Sequence, residues 1–448
     1  MSKQRIQLSD HFTYSRLLRF VLPCIGTMLF TSIYGIVDGL CVSNFVGKTA
    51  FAAVNLIMPL PMLLGTIGFM LGTGGSAIVG ITLGEGDQKK ADRYFTMFLL
   101  AALVSVSVLA VLGIVFLRPI AVLLGAKGEL LDYAVRYGRI LMVSLPTFAL
   151  QNMFQSFFVT AEKPHLGFWF TVGAGCTNMV LDVLMVGIWG WGVEGAAIAT
   201  FISQLVGGVL PVFFIDRSNS SRLHLCKTSF YSKVLRDACI NGSSELMTNL
   251  SMSLVNILYN FQLLRLAGEN GVAAYGVIMY AAFLFVAVFV GYAVGSAPIV
   301  SFHYGARNHA EVHNLYRKSL RLIAVVAVTL TLASMFIIPC VARIFVGYDA
   351  ELLALTSRAF RLYALSFLIM GFNVYASSFF TALGDGVTSA LISFLRTLAF
   401  QVIAILLLPL LLGIDGIWLA VTAAELAALA VSATMLLTKD KVFHYRKV

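Results

Sequence analysis

The chain is 448 residues long, 59% apolar and only 12% charged, with a mean hydropathy of +0.90 and a formal net charge of +10. Soluble domains carry roughly 25% charged residues, so this composition excludes a soluble protein and predicts an integral membrane one. Six cysteines, Cys24, Cys41, Cys176, Cys226, Cys239 and Cys340, are scattered with no CxxC, which predicts isolated thiols and neither a disulfide framework nor a metal cluster.

The first 16 residues are polar and mixed, so no cleavable signal peptide is expected. Apolar stretches long enough to cross roughly 30 Å of hydrocarbon then recur at about 17–43, 50–82, 95–117, 138–160, 166–188, 194–215, 238–264, 272–302, 322–342, 361–383, 387–411 and 415–437. The predicted fold class is therefore all-α, with twelve transmembrane helices. The polar stretch 216–237 falls between spans six and seven. It divides the chain into an N-terminal six-helix lobe (1–215), a linker (216–237) and a C-terminal six-helix lobe (238–448). An even number of spans puts both termini on one side, and 21 of the 31 lysines and arginines fall there, against nine on the other side. The positive-inside rule makes that side, linker included, cytoplasmic. The basic charge thus sets topology, and nucleic-acid binding is not expected.

The two halves repeat one another at an offset of 221 residues. Gly47, Ala52, Ala53, Ile57, Met58, Gly74, Ile78, Val79 and Gly84 recur as Gly268, Ala273, Ala274, Ile278, Met279, Gly295, Ile299, Val300 and Gly305. Asn152, Ser156 and Thr160 recur as Asn373, Ser377 and Thr381, and Gly192-Val-Glu-Gly195 as Gly413-Ile-Asp-Gly416. Duplicated halves in a membrane chain suggest an alternating-access transporter with its substrate site between the repeats. The glycines of span two, Gly65, Gly68, Gly72, Gly74 and Gly75, and Gly291 and Gly295 of span eight either permit close helix packing in lipid or serve as hinges for rocking. Gly72-x-Gly74-x-x-Ala77 matches a dinucleotide fingerprint only formally, since no strand precedes it. No GxxxxGK[ST] loop occurs, so no cofactor is expected and energy must come from an ion gradient or a partner.

An ionised group at mid-membrane costs at least about 2.5–3.5 kcal/mol on insertion scales, so each one needs a reason. Asp38 in span one and Asp182 in span five lie roughly 8–9 Å inside the outer boundary, counted at 1.5 Å per residue. Asn178 shares the helix face of Asp182, and Thr200 of span six stands at a similar depth. Two carboxylates in a low-dielectric cavity do not easily both ionise, so one is poised to take up a proton. Carboxylate, amide and hydroxyl oxygens also suit a hard cation such as Na⁺. Asp38, Asn178, Asp182 and Thr200 are thus the candidate cation-coupling residues, or else hydrogen-bonding links between helices. The repeat mates of the two acids are Tyr259 and Ile403, so the second half lacks the acid pair. Arg396 and Glu425 are expected to form an intramembrane ion pair, with a second proton site as the alternative. Asn152, Gln155, Asn256, Asn260 and Asn373 line a central cavity or join helices, and Glu245 either snorkels or gates.

These residues resemble the multidrug and toxic compound extrusion (MATE) family, bacterial branch related to the DNA-damage-inducible F proteins. The resemblance rests on Pro23 with Asp38 fifteen residues on, Gly47, Ala52-Ala53, Gly74-Gly75-Ser-Ala and Gly84. It continues through Asn178-x-x-x-Asp182, Gly192-Val-Glu-Gly195-Ala-Ala and Gly268-Glu-Asn-Gly-Val-Ala-Ala-Tyr275. It implies two six-helix lobes around a central cleft, in the bacterial inner membrane. It also implies export of bulky, often cationic drugs or toxic metabolites in exchange for H⁺ or Na⁺, by a chain expected to act as a monomer. Asp38, Asn178, Asp182 and Thr200 would form the first-lobe cation site, and Pro23 would be where the first helix can bend. A lipid or lipid-linked oligosaccharide flippase is the alternative. Flippases of the same superfamily often line the cleft with several cations, whereas Arg396 is the one deep cation found here and has an acid partner. An intramembrane enzyme is not expected, because the histidines fall at helix ends or loops.

Overall fold

The structure, a computed structural model, describes residues 6–46, 48–216, 221–347 and 349–446, apart from the side chains at 36, 38–45, 48 and 51. Gly47 and the side chain of Asp38 therefore lie outside the described residues. In chain order the helices are α1 (Tyr14–Phe45), α2 (Lys48–Ile57), α3 (Pro59–Gly84), α4 (Gln88–Leu123), α5 (Gly128–Thr160), α6 (Pro164–Asp182), α7 (Gly192–Gln204) and α8 (Leu210–Asp216). They continue as α9 (Ser232–Asn241), α10 (Ser243–Gly305), α11 (His309–Val346), α12 (Ala350–Ala364), α13 (Phe367–Ala382), α14 (Gly386–Phe394), α15 (Phe400–Leu412), α16 (Ile414–Thr438) and α17 (Asp440–Phe443). Three π-helical segments, Val183–Ile188, Leu205–Val209 and Leu395–Ala399, lie within spans five, six and eleven.

Nine of the described helices are long and apolar enough to cross a membrane. One of them, the 63-residue α10, covers two crossings, because Gly268 breaks it at φ 60°, ψ −152°. The pair α12 and α13, bent by 45° at their junction, makes another, and the 33-residue α5 is the twelfth. The chain is a multi-pass membrane protein of twelve spans, as the hydropathy predicts. Its apolar residues face out as well as in. Val104, Val111 and Val115 on α4 and their mates Val325, Leu332 and Phe336 on α11 are exposed, at the three- and four-residue spacing of one helix face. Lipid is as apolar as these side chains, so their exposure carries no penalty.

The repeat is visible in backbone conformation. Gly192 and Gly413 have φ of 60° and 59°, a left-handed value that a side chain would strain. Each opens the helix after a tight turn. Asp87 and Asn308, also mates, cap α4 and α11 by accepting from Lys90 N and Glu311 N, which satisfies an orphan amide at each start.

The two halves are clasped at the end of the bundle that carries the N-terminus. There α3 crosses the end of α10 so closely that a Cβ built on Gly84 would stand 2.0 Å from the Phe302 carbonyl oxygen. One built on Gly305 would stand 2.0 Å from that of Ile81. One apolar cluster joins both halves here, with Phe98 and Phe157 from the first and Tyr375 and Phe379 from the second. The N-terminal segment straps across it. Leu8 N donates to Glu162 Oε1 at 2.9 Å, and Phe12 N to Glu311 Oε1 at 2.8 Å. Arg222 holds the same Glu162 at 2.5 Å and lies over the Phe302 ring. Towards the other end each half has its own core, around Tyr137 and Leu141 in the first and around Tyr363 and Trp418 in the second.

Candidate functional site

A cavity of about 510 Å³ lies among α3, α10 and α12 to α16. The first half contributes Met62, Leu63, Thr73 and Ser76 of α3 and Ser156 of α5, and most of the wall comes from the second half. Met252, Met279, Phe283, Tyr259 and Tyr275 give it a deformable apolar surface. The rings of Tyr259 and Tyr275 stack at 4.8 Å. Methionine adapts its shape to irregular apolar partners, and aromatic faces attract cations. The charged residues among those that line the cavity are Glu245, Arg396 and Glu425.

Arg396 stands on the π-helical segment Leu395–Ala399, and its Nη1 lies 3.3 Å from Glu425 Oε1 on α16. The other carboxylate oxygen accepts from Asn373 Nδ2 at 2.7 Å, and the same amide reaches the Glu425 carbonyl at 2.9 Å. Glu425 is 1% exposed. A carboxylate so buried persists only with donors on its oxygens, and this one has a donor on each. Glu245, near the start of α10, has Arg396 as a charged neighbour, but the guanidinium sits on Glu425.

In the first half, Asn178 and Asp182 lie four residues apart on α6 and are 2% and 0% exposed. Their helix face is turned to α1. One turn earlier on that face is Gly175, where a Cβ would stand 2.5 Å from the Phe30 ring and 3.2 Å from the Tyr34 ring. Asp38 follows Tyr34 by one turn of α1, so the backbone brings Asp38 and Asp182 along adjoining helices. Asn178 Nδ2 has no hydrogen-bond partner among the described residues. The α-helix gives way to π-helix immediately after Asp182, the kind of irregularity that recurs at functional sites. Thr200 is half-buried on α7, which packs beside α6, and its hydroxyl donates to the Ala196 carbonyl at 3.0 Å.

Of the five amides expected to line a cavity or join helices, Asn256 lines this one. Asn260 sits one turn on and donates to the Asn256 carbonyl. Asn373 is spent on Glu425. Asn152 is buried at the close approach of α5 to Gly72 of α3, and Gln155 lies half-buried by Cys24, Thr27 and Met28. Pro23, the position expected to let the first helix bend, lies inside α1. α1 runs unbroken from Tyr14 to Phe45, with the Thr27 hydroxyl donating to the Pro23 carbonyl at 2.9 Å. A proline ring removes one helical hydrogen bond and clashes with the preceding turn, which makes this the weakest point of the helix ladder. Sequence reading missed Gln401 of α15 and the cavity-facing tyrosines. Gln401 follows Arg396 by five residues in an apolar run, a weak signal. The tyrosines were indistinguishable from ordinary core.

The family model MatE matches residues 23–184 and 246–407, once in each half. The multidrug export protein MepA of Staphylococcus saprophyticus is 21% identical over 434 residues, covering 96% of this chain and 95% of that one. MepA of Staphylococcus aureus (strain MSSA476) is 22% identical over 433 residues, with the same two coverages, 96% and 95%. In fold, the chain superposes over its full length on a multidrug resistance MATE family transporter of the MOP superfamily solved in an outward-facing conformation. The TM-score is 0.92 at 22% identity, with 100% of both chains covered.

Proposed function

Because the chain belongs to the MatE family, whose members are transporters and not enzymes, we propose that it exports bulky organic compounds, many of them cationic, across a bacterial inner membrane in exchange for H⁺ or Na⁺. The observation that carries this reading is the cavity. It is large enough for a drug-sized molecule, walled by methionine and aromatic side chains, and supplied with carboxylates. The near full-length similarity to proteins named for multidrug export supports it. Asp38, Asn178, Asp182 and Thr200 take the coupling cation, with H⁺ or Na⁺ as occupant and no other cofactor. Both termini and the linker 216–237 face the cytoplasm, and the lobes 1–215 and 238–448 rock about the cavity as one monomer. Coupling requires that ion and substrate prefer different arrangements of the lobes. The clasped end seen here represents one of the two.

The test is efflux of ethidium from inverted vesicles or proteoliposomes, with pH and sodium gradients imposed separately. One gradient should drive efflux and the other should not. Asp182→Asn should abolish the driven component while the purified protein keeps its thermal stability. No driven efflux of any organic cation by the native chain would sink the reading, and undiminished efflux by D182N would remove Asp182 from it.

A further inference from the structure

We propose that the cavity holds a cation-binding position of its own in the second half of the chain, centred on Glu245, and that its preferred occupant is the positively charged group of an organic substrate. The inference rests on the reading of the cavity as the place where substrate binds.

Charge bookkeeping in the cavity comes first. Two carboxylates and one guanidinium line it. The guanidinium and an Asn373 donor are both committed to Glu425. The Glu245 carboxylate accepts no hydrogen bond and forms no ion pair with any described residue, and it lines the cavity. The set therefore carries one excess negative charge, at Glu245, when all three groups are ionised. Glu245 is half-buried and reaches the open cavity, where water keeps the carboxylate ionised, and an anion there without a committed partner draws a cation.

The helix face around it has the same polarity. Thr248, Asn249 and Ser253 follow Glu245 at helical spacing and line the same cavity. Each turns a donor back onto a carbonyl one turn earlier: Thr248 Oγ1 onto Ser244 at 2.8 Å, Asn249 Nδ2 onto Glu245 at 2.9 Å, and Ser253 Oγ onto Asn249 at 3.3 Å. With those donors used, the face offers chiefly acceptor oxygens. Acceptors grouped about a carboxylate suit a cation and disfavour an anion. The apolar body of a lipophilic cation then meets Met252, one turn further along the wall. A glutamate in the first turn of a helix also complements the helix dipole, a purely structural role that the test must separate.

A small inorganic ion shares this chemistry, so the experiment has two arms. The full-length chain in lipid nanodiscs is titrated with tetraphenylphosphonium, a monovalent lipophilic cation, and with the neutral probe N-phenyl-1-naphthylamine. Tetraphenylphosphonium binding is measured with and without Na⁺ and across pH. The expected result for Glu245→Gln is about tenfold weaker tetraphenylphosphonium binding or worse, with the neutral probe unchanged and Glu245→Asp close to native. Retained tetraphenylphosphonium affinity with lost competition by Na⁺ or H⁺ supports the site with an inorganic ion as its occupant. Retained affinity with retained competition overturns the proposal, as does an equal loss for the charged and neutral probes. A native chain that exports no organic cation would overturn the export reading, whereas the binding comparison between variants decides Glu245 alone.

Discussion

Arg396, Glu425 and Asn373 form a buried set whose repeat mates are Gly175, Gln204 and Asn152. In the second half Asn373 binds Glu425 directly. In the first half Asn152 Nδ2 and Gln204 Oε1 each lack a partner among the described residues, and the space of an arginine is filled by the Phe30 ring against Gly175. The duplication has thus kept the positions and changed the chemistry. A buried pair loses heavily when one partner is removed, because the other charge stays behind. Arg396→Met alone should destabilise the protein by about 3–5 kcal/mol, and the double variant R396M/E425Q should recover most of that. Thermal unfolding of the three proteins in one detergent checks it, and additive losses would show that the pair is not coupled. Counting depth from the span ends was enough to bring Arg396 and Glu425 together on paper. It was not enough to show Asn373 on Glu425, because α13 and α16 meet only through tertiary packing.

Among the elements, the three π-helical segments stand out, since each shifts the register of a span partway across the membrane. One begins immediately after Asp182 and another carries Arg396. No composition signal marks them, because a π-turn reads as ordinary apolar helix in the sequence. Helix starts are more legible. Gly384-Asp385-Gly386 announces a break and a cap, and Asp385 does accept from Thr388 N at 3.2 Å and from its hydroxyl at 2.7 Å, with Lys439 at 2.8 Å. Partial burial would raise the Asp385 carboxyl pKa, but Lys439 and Thr388 outweigh it and hold the group below its ordinary 3.8. A carboxyl depressed in the folded state stabilises above its unfolded pKa and loses that contribution as pH falls through the folded one. Asparagine caps a helix as well as aspartate does, so Asp385→Asn should lose chiefly the Lys439 ion pair and cost roughly 0.5–1 kcal/mol near neutrality. The gap to the native chain should close below about pH 4. A pH series of melting curves for the two proteins is the measurement, and a gap independent of pH would contradict the assignment.

Across the whole molecule, the clasp at the N-terminal end is built from backbone in contact with backbone. Gly84 and Gly305, mates in the repeat, each leave room for a carbonyl of the opposite helix at 2.0 Å from where a Cβ would stand. A methyl group there forces α3 and α10 apart. Gly305→Ala should shift the population away from this clasped arrangement. Spin labels at the ends of α3 and α11 should report a longer distance, and an unchanged distance distribution would show that the helices absorb the methyl locally.

Sequence alone determined the twelve spans, the duplication and the family, because these follow from local hydropathy, spacing and glycine chemistry. It also singled out Asp38, Asp182, Glu245, Arg396 and Glu425 as residues that need a reason to lie in a membrane. Only the tertiary structure decided that the cavity is walled mainly by the second half, that Asn373 serves Glu425, and that Glu245 faces open space without a committed partner. Those facts depend on how helices far apart in the chain are rotated against one another. Rotation is set by the sum of many packing contacts, and no single stretch of sequence records that sum.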